Sequence, residues 1–274
     1  MSPRWTSQDP DKARAERFFL LYTPIWIGAV ALVMLGGYLK RWGDLEYLLF
    51  GVGIAAPLLL VPALTPGEGP FYRRYWFKFN LWIALYVCAG SYVGTHYFFD
   101  VMGMRYAFPT TISLDAALVG HDTGEVPLFL YPLTQCYFVT YHTIMVMTLR
   151  RLRTGPLARL PGKRLWWTLA LVAVAYGCAY GETYFMTHES LSDYFWYLDR
   201  DRMLSLGSLF YATYFVVSAP LVGRIDEPED VEGAPLTRER WSVGRVALEA
   251  LAASMLMFYA LDLWTQLFGP LIEG

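Results

Sequence analysis

The sequence predicts an all-α, polytopic membrane bundle of about seven transmembrane helices with a cytoplasmic N-terminus, and three observations carry that prediction. Its 274 residues are 55% apolar and 17% aromatic but only 17% charged, whereas about a quarter of the residues of soluble domains are charged. Apolar runs of spanning length, about 20 residues, recur seven times. The basic residues gather on alternate connections, the pattern that orients helices in a membrane.

The runs lie at 18–39, 45–64, 75–99, 127–149, 165–187, 203–222 and 244–268. They make one transmembrane domain over 18–274, preceded by a polar tail over 1–17. The tail, MSPRWTSQDPDKARAE, is mixed in charge. The run behind it has full length and no small-residue cleavage pattern, so it reads as an uncleaved first helix rather than a signal peptide. Pro57 and Pro62 interrupt the second run. Between the fourth and fifth runs, RRLRTGPLARLPGKR holds six Lys or Arg and no acid, so the fourth helix runs inward and the fifth outward. Alternating from that anchor puts seventeen basic residues on the cytoplasmic side and leaves Lys40, Arg41, Arg105, Arg200 and Arg202 on the other. An even number of crossings would break the pattern.

Several function classes find no support. The net charge is -2, and no cluster of Lys and Arg remains free of orienting loops, so no nucleic-acid partner is expected. Cys88, Cys136 and Cys178 stand singly in apolar runs without C-x-x-C spacing, which speaks for packing rather than a disulfide frame or a metal site. The GVGIAA run at Gly51 matches a dinucleotide fingerprint in letters only, since no strand precedes it. No nucleophile elbow, phosphate loop or paired-histidine zinc spacing occurs, so hydrolase and nucleotide chemistry are set aside.

Polar residues inside the runs are the functional signal. Counted along their helices at about 1.5 Å per residue, Glu182, Asp262 and His96 fall in one layer of the outer half. The YLDRDRML segment brings Asp199 and Asp201 to the mouth of the sixth helix. A charged acid at mid-bilayer costs about 2.5–3.5 kcal/mol and usually faces the bundle interior or a cavity. Glu182, in AYGETYF, is therefore the leading candidate. Gly177-x-x-x-Gly181 offers a strip where another helix can approach closely and hold the carboxyl away from lipid, and Tyr180 and Tyr184 flank the acid. An apolar setting disfavours the ionised form, and a carboxyl kept neutral is a usable proton donor. Plainer readings stand beside the others. Asp199 and Asp201 can cap a helix, Asp262 and His96 can be interfacial, and His142 lies at a different depth, as a packed, hydrogen-bonded histidine does. Glu249 follows Arg245 by the spacing of an intrahelical ion pair.

The 47 aromatic residues exceed what interface belts demand. Tyr86, Tyr92 and Tyr97 on one helix and Tyr211, Tyr214 and Phe215 on another can line a flat apolar cavity whose ring faces stabilise positive charge.

Taken in order, TPIWIG, RYWFKFNLWIA, THYFFDVMGMRYAFP, YHTIMVMTLRRLR, AYGETYF, YLDRDRML, SLFYATYFVVSAP, RVALEAL, DLW and FGP resemble the cycloeucalenol cycloisomerase family, the cyclopropyl sterol isomerases of plant sterol synthesis, which also have bacterial relatives. Residues 110–129 depart from the plant pattern, and Gln135 stands where a histidine is expected, which leaves the substrate preference open. The resemblance implies opening of the 9,19-cyclopropane ring of a sterol such as cycloeucalenol to a delta-8 sterol, without a cofactor. It implies Glu182 as proton donor and His96 and Asp262 as proton acceptor or orienting partners. Asp199 and Asp201 would bind the sterol hydroxyl or shape the mouth, and Tyr92, Tyr180, Tyr184, Tyr211 and His142 would line the sterol site. The expected partners are the sterol and membrane lipid, with no protein partner implied. The alternatives are a sterol delta-8/delta-7 double-bond isomerase and a non-enzymatic sterol-binding or transport protein. The low lysine share, four of 22 basic residues, hints at a bacterial gene and its cytoplasmic membrane; a eukaryotic copy belongs in the endoplasmic reticulum.

Overall fold

Residues 3–117, 119, 124–228 and 240–272 are described in the structure, a computed structural model. The first run is helix α1 (Pro10–Leu35) and the second is α2 (Asp44–Ala55) continued by α3 (Pro57–Leu64). The third is α4 (Tyr75–Cys88), extended by π-helical turns at Ala89–Val93 and Tyr97–Val101. Then come α5 (Leu130–Thr154), α6 (Lys163–Met186), the short α7 (Arg200–Arg202), a π-helical turn at Met203–Gly207, α8 (Ser208–Val222) and α9 (Val243–Phe268).

Among the described residues four stretches, Pro10–Leu35, Asp44–Leu64, Arg200–Val222 and Val243–Phe268, are long and apolar enough to cross a membrane. α4 is too short by itself, and α5 and α6 carry Tyr, Thr, His and Glu side chains that dilute their apolarity. Several of those polar groups, among them Thr140, His142, Thr143 and Thr183, are buried inside the protein. α5 is central, packing against α1, α2, α4, α6 and α8, while α8 lies between α6 and α9.

Two close approaches explain sequence features that local propensity does not. A Cβ on Gly51 would come within 2.6 Å of the Phe129 carbonyl, so the GVGIAA glycine serves contact between α2 and the start of α5. Pro62 has no N–H and leaves the Leu58 carbonyl without its helical donor. The buried Asn80 of α4 supplies one, its Nδ2 donating to Leu58 O at 3.2 Å, and Gln135 Nε2 donates to Asn80 Oδ1 at 3.2 Å. An orphan carbonyl among apolar helices would otherwise cost several kcal/mol.

At the end that gathers the starts of α1, α4 and α9 and the ends of α5 and α8, charges that the sequence assigns to tail and loops are buried. α1 begins inside the stretch read as a polar tail, capped by Asp9, and its Lys12 and Glu16 are 0% and 1% exposed. Arg150 bridges Glu16 (Nη2–Oε1 2.5 Å) and Glu227 (Nε–Oε1 2.6 Å), and Lys12 pairs with Glu227 at 2.8 Å. Lys12 Nζ also donates to Ile225 O at 2.6 Å, closing the end of α8. Lys78 of α4 pairs with Asp226, whose Oδ1 accepts from Trp241 N. Buried charges persist only when paired in this way. Burial alone would raise the Glu227 carboxyl, but Lys12 and Arg150 override it and hold it at about 2.

The helical bundle carries two short ribbons at its opposite end. Here β1 (Met104–Tyr106) pairs antiparallel with β4 (Phe195–Tyr197), and β2 (Ser113–Leu114) with β3 (Val126–Pro127). These ribbons and their loops form a cap with its own core, which includes Phe99, Phe129, Tyr194 and Phe195.

Candidate active site

Beneath the cap lies a cavity. Its walls come from α1 (Val30, Val33), α2 (Tyr47, Phe50), α4 and its π-turn (Tyr86, Gly90), α5 (Leu133, Tyr137, Phe138), α6 (Glu182, Met186) and α8 (Tyr211, Tyr214), with Tyr106, Phe108, Phe195 and Tyr197 above. The lining is apolar and aromatic with a few placed polar groups, the composition of a small-molecule site.

Glu182 is the only carboxyl among the described residues that line it, and no Asp, His, Lys or Arg joins it there. It is half-buried and open to the cavity. Its Oε2 accepts a hydrogen bond from the Tyr211 hydroxyl at 2.6 Å. The phenols of Tyr106, Tyr137, Tyr141 and Tyr197 are near enough to feel its charge. Burial pushes Tyr106 and Tyr197, both on the cap ribbons, above the ordinary phenol value, so they stay neutral at physiological pH. The Tyr214 ring stacks on Phe98 at 5.5 Å, and its buried hydroxyl has no hydrogen-bond partner among the described residues.

The other predicted residues fall elsewhere. His96 is exposed, with Nδ1 2.7 Å from Asp100 Oδ2, and Asp262 is exposed and accepts from Gln266 at 2.6 Å. Neither borders the cavity. Asp199 caps α7 through the Arg202 N–H at 2.8 Å, and Asp201, with a side chain 95% exposed, lies beside Arg200. Tyr180 and Tyr184 stack in a ladder on the outer face of α6. A residue two positions from Glu182 is turned by about 200° on a helix, so sequence adjacency to the acid does not place them beside it. Tyr92, on the first π-turn, is absent from the cavity wall. His142 is fully buried, its Nδ1 2.7 Å from Phe138 O and its Nε2 2.7 Å from Ser218 Oγ. Both ring nitrogens are committed to packing. Glu249 meets Arg245 at 3.9 Å on α9.

The Gly177–Gly181 strip is not a helix contact. A Cβ added at either position meets nothing within 4 Å, so the strip faces open space. Sequence reasoning missed Tyr106, Tyr137, Tyr141 and Tyr197 around the acid, because two lie on short strands with no helical period and two sit among the many aromatics of α5.

An apolar helical bundle that closes on one acid in an aromatic cavity defines a membrane protein built for acid–base work on an apolar molecule. Cycloeucalenol cycloisomerase of Arabidopsis thaliana is 36% identical over 278 residues, spanning 98% of this chain and 90% of that protein. The chain belongs to the cycloeucalenol cycloisomerase family and is an isomerase. No family model matches the chain. No solved structure matches it.

Proposed function

We propose that the protein opens the 9,19-cyclopropane ring of a cyclopropyl sterol, with Glu182 carrying the proton. The observation that carries the reading is the Glu182 carboxyl, held by Tyr211 and opening into an aromatic cavity. Protonated Glu182 gives its hydrogen to the cyclopropane methylene. The electron pair of the bond from carbon 9 to that methylene forms the new C–H bond, so the methylene becomes the angular methyl and carbon 9 becomes cationic. Ring faces such as Tyr214 and Phe98 stabilise that charge. The carbon 8 hydrogen then leaves as a proton, and its electron pair closes the double bond to carbon 9. The Glu182 carboxylate is the strongest base among the described lining residues, so it takes this proton and the acid is regenerated. Product and substrate are isomers, and the scheme balances without a cofactor.

The same reading takes the chain across the membrane seven times, with the ion cluster on the cytoplasmic side and the cavity toward the outer leaflet. The basic-residue bias supports it. The membrane is the bacterial cytoplasmic one on the low-lysine argument. Incubating purified, detergent-solubilised protein with cycloeucalenol tests the activity, with the product identified by gas chromatography, mass spectrometry and the proton resonance of its new methyl. A delta-8 sterol is expected. Recovery of unchanged substrate despite saturable binding would instead favour a sterol carrier.

A further inference from the structure

Beside the cavity lies a second hollow. A groove runs between α1 and α6, walled by Trp26, Ile27, Tyr141, Gly177, Gly181 and Phe185. Val30, Tyr137 and Glu182 border both the groove and the cavity, so the carboxyl stands where the two spaces meet. Of the groove's own side chains, Ile27 on α1 and Phe185 on α6 are exposed and apolar. α1 is also among the helices apolar enough to span a membrane. This groove therefore faces hydrocarbon.

The opposite route is shut. In the cap, Phe99, Leu191, Tyr194 and Phe195 are 4%, 3%, 7% and 3% exposed, and they pack together over the cavity. Opening the cap would expose these apolar side chains to water, which the hydrophobic effect opposes. On the groove side Trp26 and Val30 are the closely packed side chains, while Gly177 and Gly181 leave the space beyond their Cα atoms empty.

We infer that the sterol enters and leaves sideways, from the hydrocarbon of the bilayer, through the α1–α6 groove with Gly177 and Gly181 as its floor. The inference rests on the sterol reading above. An apolar, rigid, elongated molecule dissolved in the membrane reaches the acid this way without crossing water. It then meets Glu182 at the threshold of the cavity.

The test uses the full protein in lipid vesicles. Gly177→Leu, which fills the groove, should lower kcat/KM roughly tenfold while kcat at saturating sterol stays within about twofold, with Gly177→Ala showing a smaller loss. Wild-type kcat/KM in the leucine variant would overturn the route. Cys178 lines the same groove and supplies a second measurement, should the leucine variant fold poorly. An apolar, membrane-permeant methanethiosulfonate should depress kcat/KM, added sterol should slow the modification, and the effect should vanish in Cys178→Ala. Complete modification of Cys178 with neither loss of turnover nor protection by sterol would also overturn it. Failure of the wild type to isomerise any cyclopropyl sterol would sink the functional reading instead, while protection of Cys178 by sterol would still report the route.

Discussion

The Tyr211 hydroxyl on α8 donates to Glu182 Oε2 on α6 at 2.6 Å, and so ties the acid to the helix that sets Tyr211 and Tyr214 in the cavity wall. Glu182→Gln keeps the size and removes the transferable proton. Turnover of a cyclopropyl sterol should fall by about a hundredfold to ten-thousandfold while sterol binding, measured by displacement of a labelled sterol, persists. Near-normal product formation would remove Glu182 from the acid role.

Tyr211→Phe deletes one hydrogen bond and leaves the ring. A hydrogen bond to an ionised group is worth about 1.5–3 kcal/mol, and this one strengthens as Glu182 becomes a carboxylate. The variant should therefore lose roughly tenfold to a hundredfold in kcat, with a smaller change in KM. An equal loss in sterol affinity and no change in kcat would make Tyr211 a wall residue only.

His96 and Asp262 are paired at the surface with Asp100 and Gln266. Alanine at either should leave kcat within about twofold. A loss as deep as that of Glu182→Gln would return the proton-acceptor role to that residue.

Arg150 holds Glu16 and Glu227 together. Arg150→Met leaves two acids in the cluster without their guanidinium and should cost about 3–5 kcal/mol of stability, read as a fall in the thermal midpoint in detergent. Arg150→Lys should recover only part of it, because an ammonium cannot span both carboxylates.

Glu227 gives that cluster a pH dependence. Its folded value of about 2 lies below the ordinary 4.5, so the unfolded chain binds its proton more readily. The stabilisation is fully present above pH 4.5 and is lost as pH falls toward 2. Thermal midpoints measured from neutral pH downward should drop across that window, and Glu227→Gln should flatten this part of the drop.

Much of the helical framework was legible because long apolar runs have no other way to satisfy their backbone in lipid. Glu182 stood out because a carboxyl so far inside such a run is costly unless the fold gives it a place. The rest failed for geometric reasons. Depth along a helix put His96 and Asp262 level with Glu182, but depth says nothing of direction around the axis. Counting Lys12, Lys78 and Arg150 as orienting charges concealed that acids such as Glu16 and Asp226 neutralise them. The glycine strip signalled small volume correctly, but whether a helix or an empty space fills that volume is decided by α1, far away in sequence. The cap ribbons are two and three residues long, too short for any periodicity to register.

The π-helical turns at Ala89–Val93, Tyr97–Val101 and Met203–Gly207 surround the cavity, which Gly90, Phe98 and Met203 border. Such a turn holds one residue more than an α-turn needs, and each surplus residue rotates everything beyond it by about 100°. The hollow is thus rooted in the count of backbone units as well as in the choice of side chains. Losing a single residue from one of these turns would rephase the helix beyond it and change which side chains face the cavity, so the shape of the hollow depends on chain length there as well as on side-chain choice.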